Sequence, residues 1–98
     1  MPRHEIILKP AVVRDLDKLR RYDAARILDA VETHLTHAPT RESKSRIKKL
    51  RGIRNPDYRL RVDDFRVFYT VDKGTREVHV LRAMHKDGTR EYYEELRQ

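Results

Sequence analysis

Apolar residues recur every three or four positions in two stretches of the first third of the chain. The two stripes consist of Val12, Leu16 and Leu19, and of Ala24, Ile27, Leu28, Val31 and Leu35. This spacing predicts two amphipathic helices in succession, a helical hairpin. Pro10 suits the first turn of the first helix, Asp23 is a candidate N-cap of the second, and Pro39 follows its end.

Later stretches change to a period of two, which predicts strands. In the first of them Tyr58, Leu60 and Val62 alternate with Arg59 and Arg61. After the Asp63-Asp64 connection, the run 65–71 alternates in the same way, and 77–84 gives a further strand. A short β-branched run at 5–8 predicts a strand before the hairpin, and 89–97 predicts a terminal helix. Segment 41–49 is polar and basic without clear periodicity.

The predicted order is therefore β-α-α-β-β-β-α, an α+β fold over one domain, 1–98. The sheet is expected to be small and mostly antiparallel, with the helical hairpin on one face. Because side chains alternate across a strand, Arg59 and Arg61 must point away from the helices when Leu60 points toward them. We expect an uncovered sheet face lined with arginine.

The charge distribution favours a polyanionic partner. The 98 residues carry a net charge of +7, and the sequence pI is about 10.0. Segment 41–66 holds ten basic and four acidic residues, so it accounts for +6 of that charge. Lysine and arginine bind nucleic acid by displacing counterions from phosphates, although a basic segment also occurs as an ordinary solvated surface.

Several other classes of chemistry are disfavoured. The chain has no cysteine, which excludes disulfides and thiolate chemistry. His34 and His37 lie three apart without a nearby third ligand, so no metal or other cofactor is expected. The N-terminal stretch reads neither as a signal peptide nor as a membrane span, and we expect a cytoplasmic protein without membrane contact.

Two stretches carry a family resemblance. KKLRGIRNPDYRLRVDDFRVFYTVD at 48–72, followed by VHVLRAMHKDGTREYYEEL at 78–96, resembles the RelE/ParE superfamily of bacterial toxins. Members share a "K-L-x-G" turn, a "Y-(R/K)-(I/L)-(K/R)" strand, a "(Y/F)-R-(L/V)-x-Y" strand and a final strand. Nearly the whole chain fits this pattern, including the β-α-α opening.

The resemblance implies a toxin of a type II toxin-antitoxin system, but two activities occur in the superfamily. RelE-like members cleave mRNA, usually on the ribosome, with a basic cluster and a terminal aromatic residue. ParE-like members inhibit DNA gyrase by protein contact. The basic cluster favours a metal-independent mRNA endonuclease here, and the gyrase inhibitor is the alternative. The implied partners are mRNA, the ribosome and an antitoxin that covers the basic face in a hetero-oligomer.

The resemblance also assigns roles to individual residues. The catalytic candidates are Arg61, Arg66, His85, Lys86 and Tyr92. The RNA-binding candidates are Lys48, Lys49, Arg51, Arg59 and Arg82. Tyr92 and Tyr93 are neighbours in one helix and cannot both face the same way, so one can stack on a base while the other packs in the core. The resemblance favours Tyr92 for stacking.

Proton transfer is where the chain departs from the RelE pattern. RelE-like enzymes commonly have lysine where this chain has Arg59 and Arg61, and arginine does not lose its proton in proteins. His85 is the substitute for either role, since histidine titrates near neutrality. Arg66 suits a phosphate clamp, unless Asp63 or Asp64 pairs with it. A third hypothesis is an RNA-binding module without chemistry.

Overall fold

The computed structural model describes residues 3–97 and confirms the predicted α+β fold. The single-domain prediction over 1–98 also covers 1, 2 and 98, which lie outside the described residues. The elements are β1 (Glu5–Leu8), α1 (Pro10–Asp17), α2 (Arg21–Leu35), β2 (Ile47–Lys49), β3 (Tyr58–Val62), β4 (Phe65–Asp72), β5 (Glu77–His85) and α3 (Thr89–Leu96). A 3₁₀ turn, Lys86–Gly88, joins β5 to α3. Within 3–97, every helix is too short or too polar to span a membrane.

The strand β2 adds to the predicted order. It is three residues long, and of these only Ile47 is buried. A period of two cannot be recognised over three residues with one apolar side chain, so β2 could not be predicted from the local pattern. β2 pairs antiparallel with β3 and forms one edge of the sheet.

The five strands form one sheet in the order β1-β5-β4-β3-β2. β1 runs parallel to β5, and the other three pairs are antiparallel, which confirms the mostly antiparallel prediction. Leu60, Val67 and Ala83 lie side by side across β3, β4 and β5. A register shift at Phe68 and Tyr69 leaves Leu81 as the extra residue on β5.

The helical hairpin covers the face of the sheet that carries this apolar row. The core residues from the helices are Val12, Leu16, Ile27, Val31 and Leu35. One prediction about the hairpin is wrong: the N-cap of α2 is Arg20, and Asp23 lies in the first helical turn. A carboxylate there still interacts favourably with the positive end of the helix dipole.

The opposite face is not left uncovered, because α3 packs on its centre. Phe68 of β4 points to this face and is fully buried. Its ring contacts the rings of Tyr92 and Tyr93, with centroids 4.8 and 5.7 Å away. The predicted open arginine-lined face is therefore correct only for the part that α3 leaves free.

A buried hydrogen bond ties the sheet to the segment after α2. The hydroxyl of Tyr69 donates to the backbone carbonyl of Pro39 over 2.6 Å. Burial raises the pKa of Tyr69 well above its usual range, so the hydroxyl stays protonated. The Tyr69 ring also stacks on Tyr58, with centroids 5.6 Å apart.

Tyr69→Phe should lower the free energy of unfolding by about 1–3 kcal/mol, because it leaves the Pro39 carbonyl buried without its donor. Urea denaturation followed by circular dichroism measures this. Tyr22→Phe is the control, since Tyr22 is 69% exposed. Equal stability of the two variants would show that the Tyr69 hydrogen bond contributes nothing.

Candidate functional site

Four of the predicted RNA-contacting residues lie together on the face that carries α3. Lys48, Arg59 and Phe68 are adjacent in register across β2, β3 and β4, and Arg61 lies beside Arg66. Residues paired in this way project to the same side of a sheet. We call Lys48, Arg59, Arg61 and Arg66 the basic face.

The nearby acidic residues are paired with other cations. Asp63 forms a salt bridge with Arg26 of α2, and Asp64 forms one with Lys86. Arg66 instead donates to the backbone carbonyls of Asp63 and Phe65, both at 2.9 Å. Within residues 3–97, no carboxylate forms a salt bridge with an arginine of the basic face.

The arginines of the basic face also disfavour one another's charge. Burial, followed by the charges of Arg59 and Arg61, lowers the pKa of Arg66. Arg66 still stays charged at neutral pH. In the described part of the chain, the buried Nε of Arg59 has no hydrogen-bond partner. A buried donor and crowded positive charges are both relieved by a bound anion.

The two tyrosines of α3 differ in burial. Tyr92, the predicted stacking residue, is 8% exposed and packs on Phe68, so its ring is not free to receive a base. Tyr93 is half-buried and lies near the charges of Arg59 and Arg66. Burial raises the pKa of Tyr93, although these arginines and Arg97 act in the opposite direction. Tyr93 is therefore the better candidate, and its hydroxyl is protonated at neutral pH.

Arg82 holds α3 and α1 in place. Its Nε and Nη2 donate to the two carboxylate oxygens of Asp15 over 2.7 and 3.1 Å. Asp15 also accepts from the backbone N–H of Ala83 over 2.9 Å. The Arg82 guanidinium lies 5.4 Å from the centroid of the Tyr92 ring. To bind RNA as predicted, the Arg82 guanidinium would have to give up its contacts with Asp15 and the Tyr92 ring.

His85 and Lys86 lie where β5 ends, away from the row of arginines. His85 is paired with Phe65, which lies on the hairpin side of the sheet, and its ring contacts Phe65 edge-on. Nδ1 of His85 lies 3.2 Å from the backbone N of Asp87 and 3.3 Å from the Asp87 carboxylate. Lys86 is held 3.6 Å from Asp64. Both catalytic candidates therefore lie off the basic face.

The remaining predicted RNA-binding residues lie off the basic face. Lys49 is paired with Tyr58 and has the strand phase of the buried Ile47, so it belongs to the hairpin side of β2. Arg51 is exposed in the turn that follows β2. Both stay candidates for contacts with RNA at the sheet edge.

No group of three or more metal-ligating side chains comes together within residues 3–97. Nε2 of His34 accepts a hydrogen bond from Arg46 over 2.7 Å. The described residues thus offer cationic and aromatic groups for binding, without a metal-ligand cluster.

Comparison with known proteins gives a family match over most of the chain. Residues 6–88 match the family model described as ParE toxin of type II toxin-antitoxin system, parDE. No curated protein matches significantly.

Three similar solved structures come from toxin-antitoxin systems. In the RelBE2 toxin-antitoxin complex from Mycobacterium tuberculosis, the similar chain is 25% identical with a TM-score of 0.74, over 87% of this chain and 93% of that one. In the archaeal RelE-RelB complex from Pyrococcus horikoshii, the similar chain is 27% identical with a TM-score of 0.65, over 88% of this chain and 97% of that one. A mutant E. coli toxin RelE in the free state is 22% identical with a TM-score of 0.69, over 94% and 93%, which shows the shared fold.

Asp15→Asn should lower the free energy of unfolding by about 1–3 kcal/mol, because it weakens a bidentate charged pair and the bond to Ala83. Denaturation in urea measures the change. Asp17→Asn, on the exposed side of the same helix, should change stability by less than about 0.5 kcal/mol. If the two variants are equally stable, the Arg82 contact does not hold α1 to the sheet.

Proposed function

The chain belongs to the RelE/ParE superfamily and is a toxin of a type II toxin-antitoxin system, and from this premise we propose that it is a metal-independent mRNA endonuclease that inhibits translation. It acts in the cytoplasm on ribosome-bound mRNA. The observation that carries the proposal is the basic face: three arginines without a carboxylate partner within residues 3–97, next to the half-buried Tyr93.

The arginines bind the scissile phosphate. A guanidinium presents a planar fork of donors that matches two phosphate oxygens, and it keeps its charge at any physiological pH. Arg61 and Arg66 are neighbours on adjacent strands, and Arg59 carries a buried Nε in need of an acceptor. When the 2′-oxygen attacks phosphorus, the added negative charge of the phosphorane is stabilised by these fixed donors.

The leaving 5′-oxygen needs a proton donor beside this position. A tyrosine with its ordinary pKa near 10 is neutral at pH 7, and burial raises the pKa of Tyr93 further, so its hydroxyl carries a proton that can pass to the leaving 5′-oxygen. His85 and Lys86 lie at the end of β5, off the basic face, where they can contact RNA that extends beyond the arginines. The proton of the 2′-hydroxyl passes to solvent, since arginine cannot accept it.

Membership of the family supports an antitoxin as the protein partner. The RelBE2 structure is a toxin-antitoxin complex and the Pyrococcus horikoshii structure is a RelE-RelB complex, and we place a cognate antitoxin on this chain in a hetero-oligomer. The exposed apolar side chains Leu8, Val13 and Leu28 line grooves along β1 and the helical hairpin. These grooves give an apolar antitoxin segment a docking surface in addition to the basic face.

Gyrase inhibition is the second candidate function, because the matching family model is that of ParE toxins. A gyrase inhibitor needs no proton donors and no phosphate clamp. The arginines of the basic face are therefore required for the endonuclease function and not for gyrase inhibition.

Arg66→Ala should reduce mRNA cleavage about 10²–10³-fold, the loss typical when one donor to a developing anion is removed. Primer extension on mRNA from a translating extract maps the cuts. Arg14→Ala, an exposed arginine of α1, is the matched control and should leave cleavage unchanged. Intact mRNA together with inhibited DNA supercoiling would transfer the function to gyrase.

Tyr93→Phe separates proton donation from stacking. If the hydroxyl is the general acid, the phenylalanine variant loses about 10²-fold or more in single-turnover cleavage rate while keeping its affinity for RNA. Tyr92→Phe preserves the ring that packs on Phe68 and should cleave normally. Full cleavage by Tyr93→Phe but not by Tyr93→Ala would limit Tyr93 to stacking.

A further inference from the structure

An open cleft of about 530 Å³ lies beside the basic face, between α2 and the end of β3. Its polar donors are Arg26, Thr33 and His34 from α2, Ser45 and Arg46 from the segment before β2, and Arg61 from β3. The backbone pairing of β3 with β2 and the residue before it ends at the hydrogen bond from Arg61 N–H to the Arg46 carbonyl, 2.8 Å long. The cleft therefore opens where β3 has no neighbour on that side.

Two guanidiniums in this cleft are uncompensated. Arg26 is paired with Asp63. Arg46 donates to Nε2 of His34 over 2.7 Å, and since arginine has no acceptor, that nitrogen is unprotonated and the ring is neutral. Within residues 3–97, neither Arg46 nor Arg61 forms a salt bridge. The cleft thus presents two charged forks to an incoming anion.

Arg61 belongs both to the basic face and to this cleft. An extended polyanion bound on the face can therefore continue into the cleft at Arg61. Asp29 also lines the cleft. Its carboxylate would repel a bare phosphate cluster, but it can accept from the N–H groups of a nucleobase. Cations and an acceptor together suit a nucleotide better than a simple anion.

We propose that the cleft is a second RNA subsite, in which Arg46 and Arg61 bind the phosphate of a nucleotide next to the one held on the basic face. The subsite rests on the proposed RNA-binding function. It extends the single-stranded RNA from the sheet face around the open edge of β3 to α2.

His34 couples this subsite to pH. Burial and the charge of Arg46 lower the pKa of His34 in the free protein. A phosphate that draws Arg46 away removes that repulsion and gives the protonated imidazole an anionic partner, which raises the pKa in the complex. The other charged groups facing His34 in the cleft are Arg26, Asp29, Arg46, Arg61 and Asp63, and arginine and aspartate keep their charges near neutrality. Binding then takes up a proton and tightens as pH falls.

Fluorescence anisotropy with a labelled 2′-O-methyl RNA of about eight nucleotides tests the subsite, because this probe cannot be cleaved. Arg46→Gln should weaken binding at least fivefold and reduce the slope of log affinity against log salt by about 0.7, the value for one lost phosphate contact on a single strand. Lys44→Gln, an exposed neighbour outside the cleft, should bind within about twofold of the unaltered protein.

His34→Gln provides an independent readout. Its amide oxygen can still accept from Arg46, so affinity at pH 7.5 should be retained while the tightening between about pH 7.5 and 5.5 is lost. If Arg66→Ala weakens binding but Arg46→Gln and His34→Gln match the unaltered protein at both pH values, the subsite is refuted and the basic face stands. If the unaltered protein does not bind the RNA, the subsite is refuted, and the endonuclease proposal is decided separately by primer extension in the translating extract.

Discussion

Burial of the apolar row of β3, β4 and β5 against the helical hairpin sets the register of these strands, and the register decides which side chains lie on the other face of the sheet. Leu60, Val67 and Ala83 are at most 3% exposed, and a slip of one residue would move them to solvent. The same register forces Arg61 and Arg66 side by side on the opposite face. Charges that repel one another are therefore held together by a core that they do not touch.

A second constraint is the attachment of α3 to this charged face. Phe68 supplies the apolar platform, Tyr92 packs on it, and Arg82 lies over the Tyr92 ring while paired with Asp15 of α1. These contacts leave Tyr93 in the half-buried position near the arginines. The helix thus covers the centre of the face and leaves the arginine end for a ligand.

The sequence allowed the order of the long elements and the sidedness of the arginines to be predicted, because a sustained period of two or 3.6 is a local signal. Partners distant along the chain could not be predicted. The pairing of Asp63 with Arg26 and the engagement of Arg82 by Asp15 depend on tertiary contact. Tyr92 and Tyr93 are adjacent in one helix, so only the packing on Phe68 decides which of them is buried. No local pattern marked β2 or the cleft at the sheet edge.

The central claim is that the basic face binds RNA phosphates with arginines that lack a carboxylate partner within residues 3–97. Arginine side-chain NMR tests it most directly, by following the Nε–H resonances of specifically labelled arginine during titration with uncleavable single-stranded RNA. If the basic face binds RNA phosphates, the resonances of Arg59, Arg61 and Arg66 shift, and that of Arg14 on α1 stays unchanged. Unshifted resonances on the basic face at saturating RNA, or shifts confined to the helical hairpin, would contradict it.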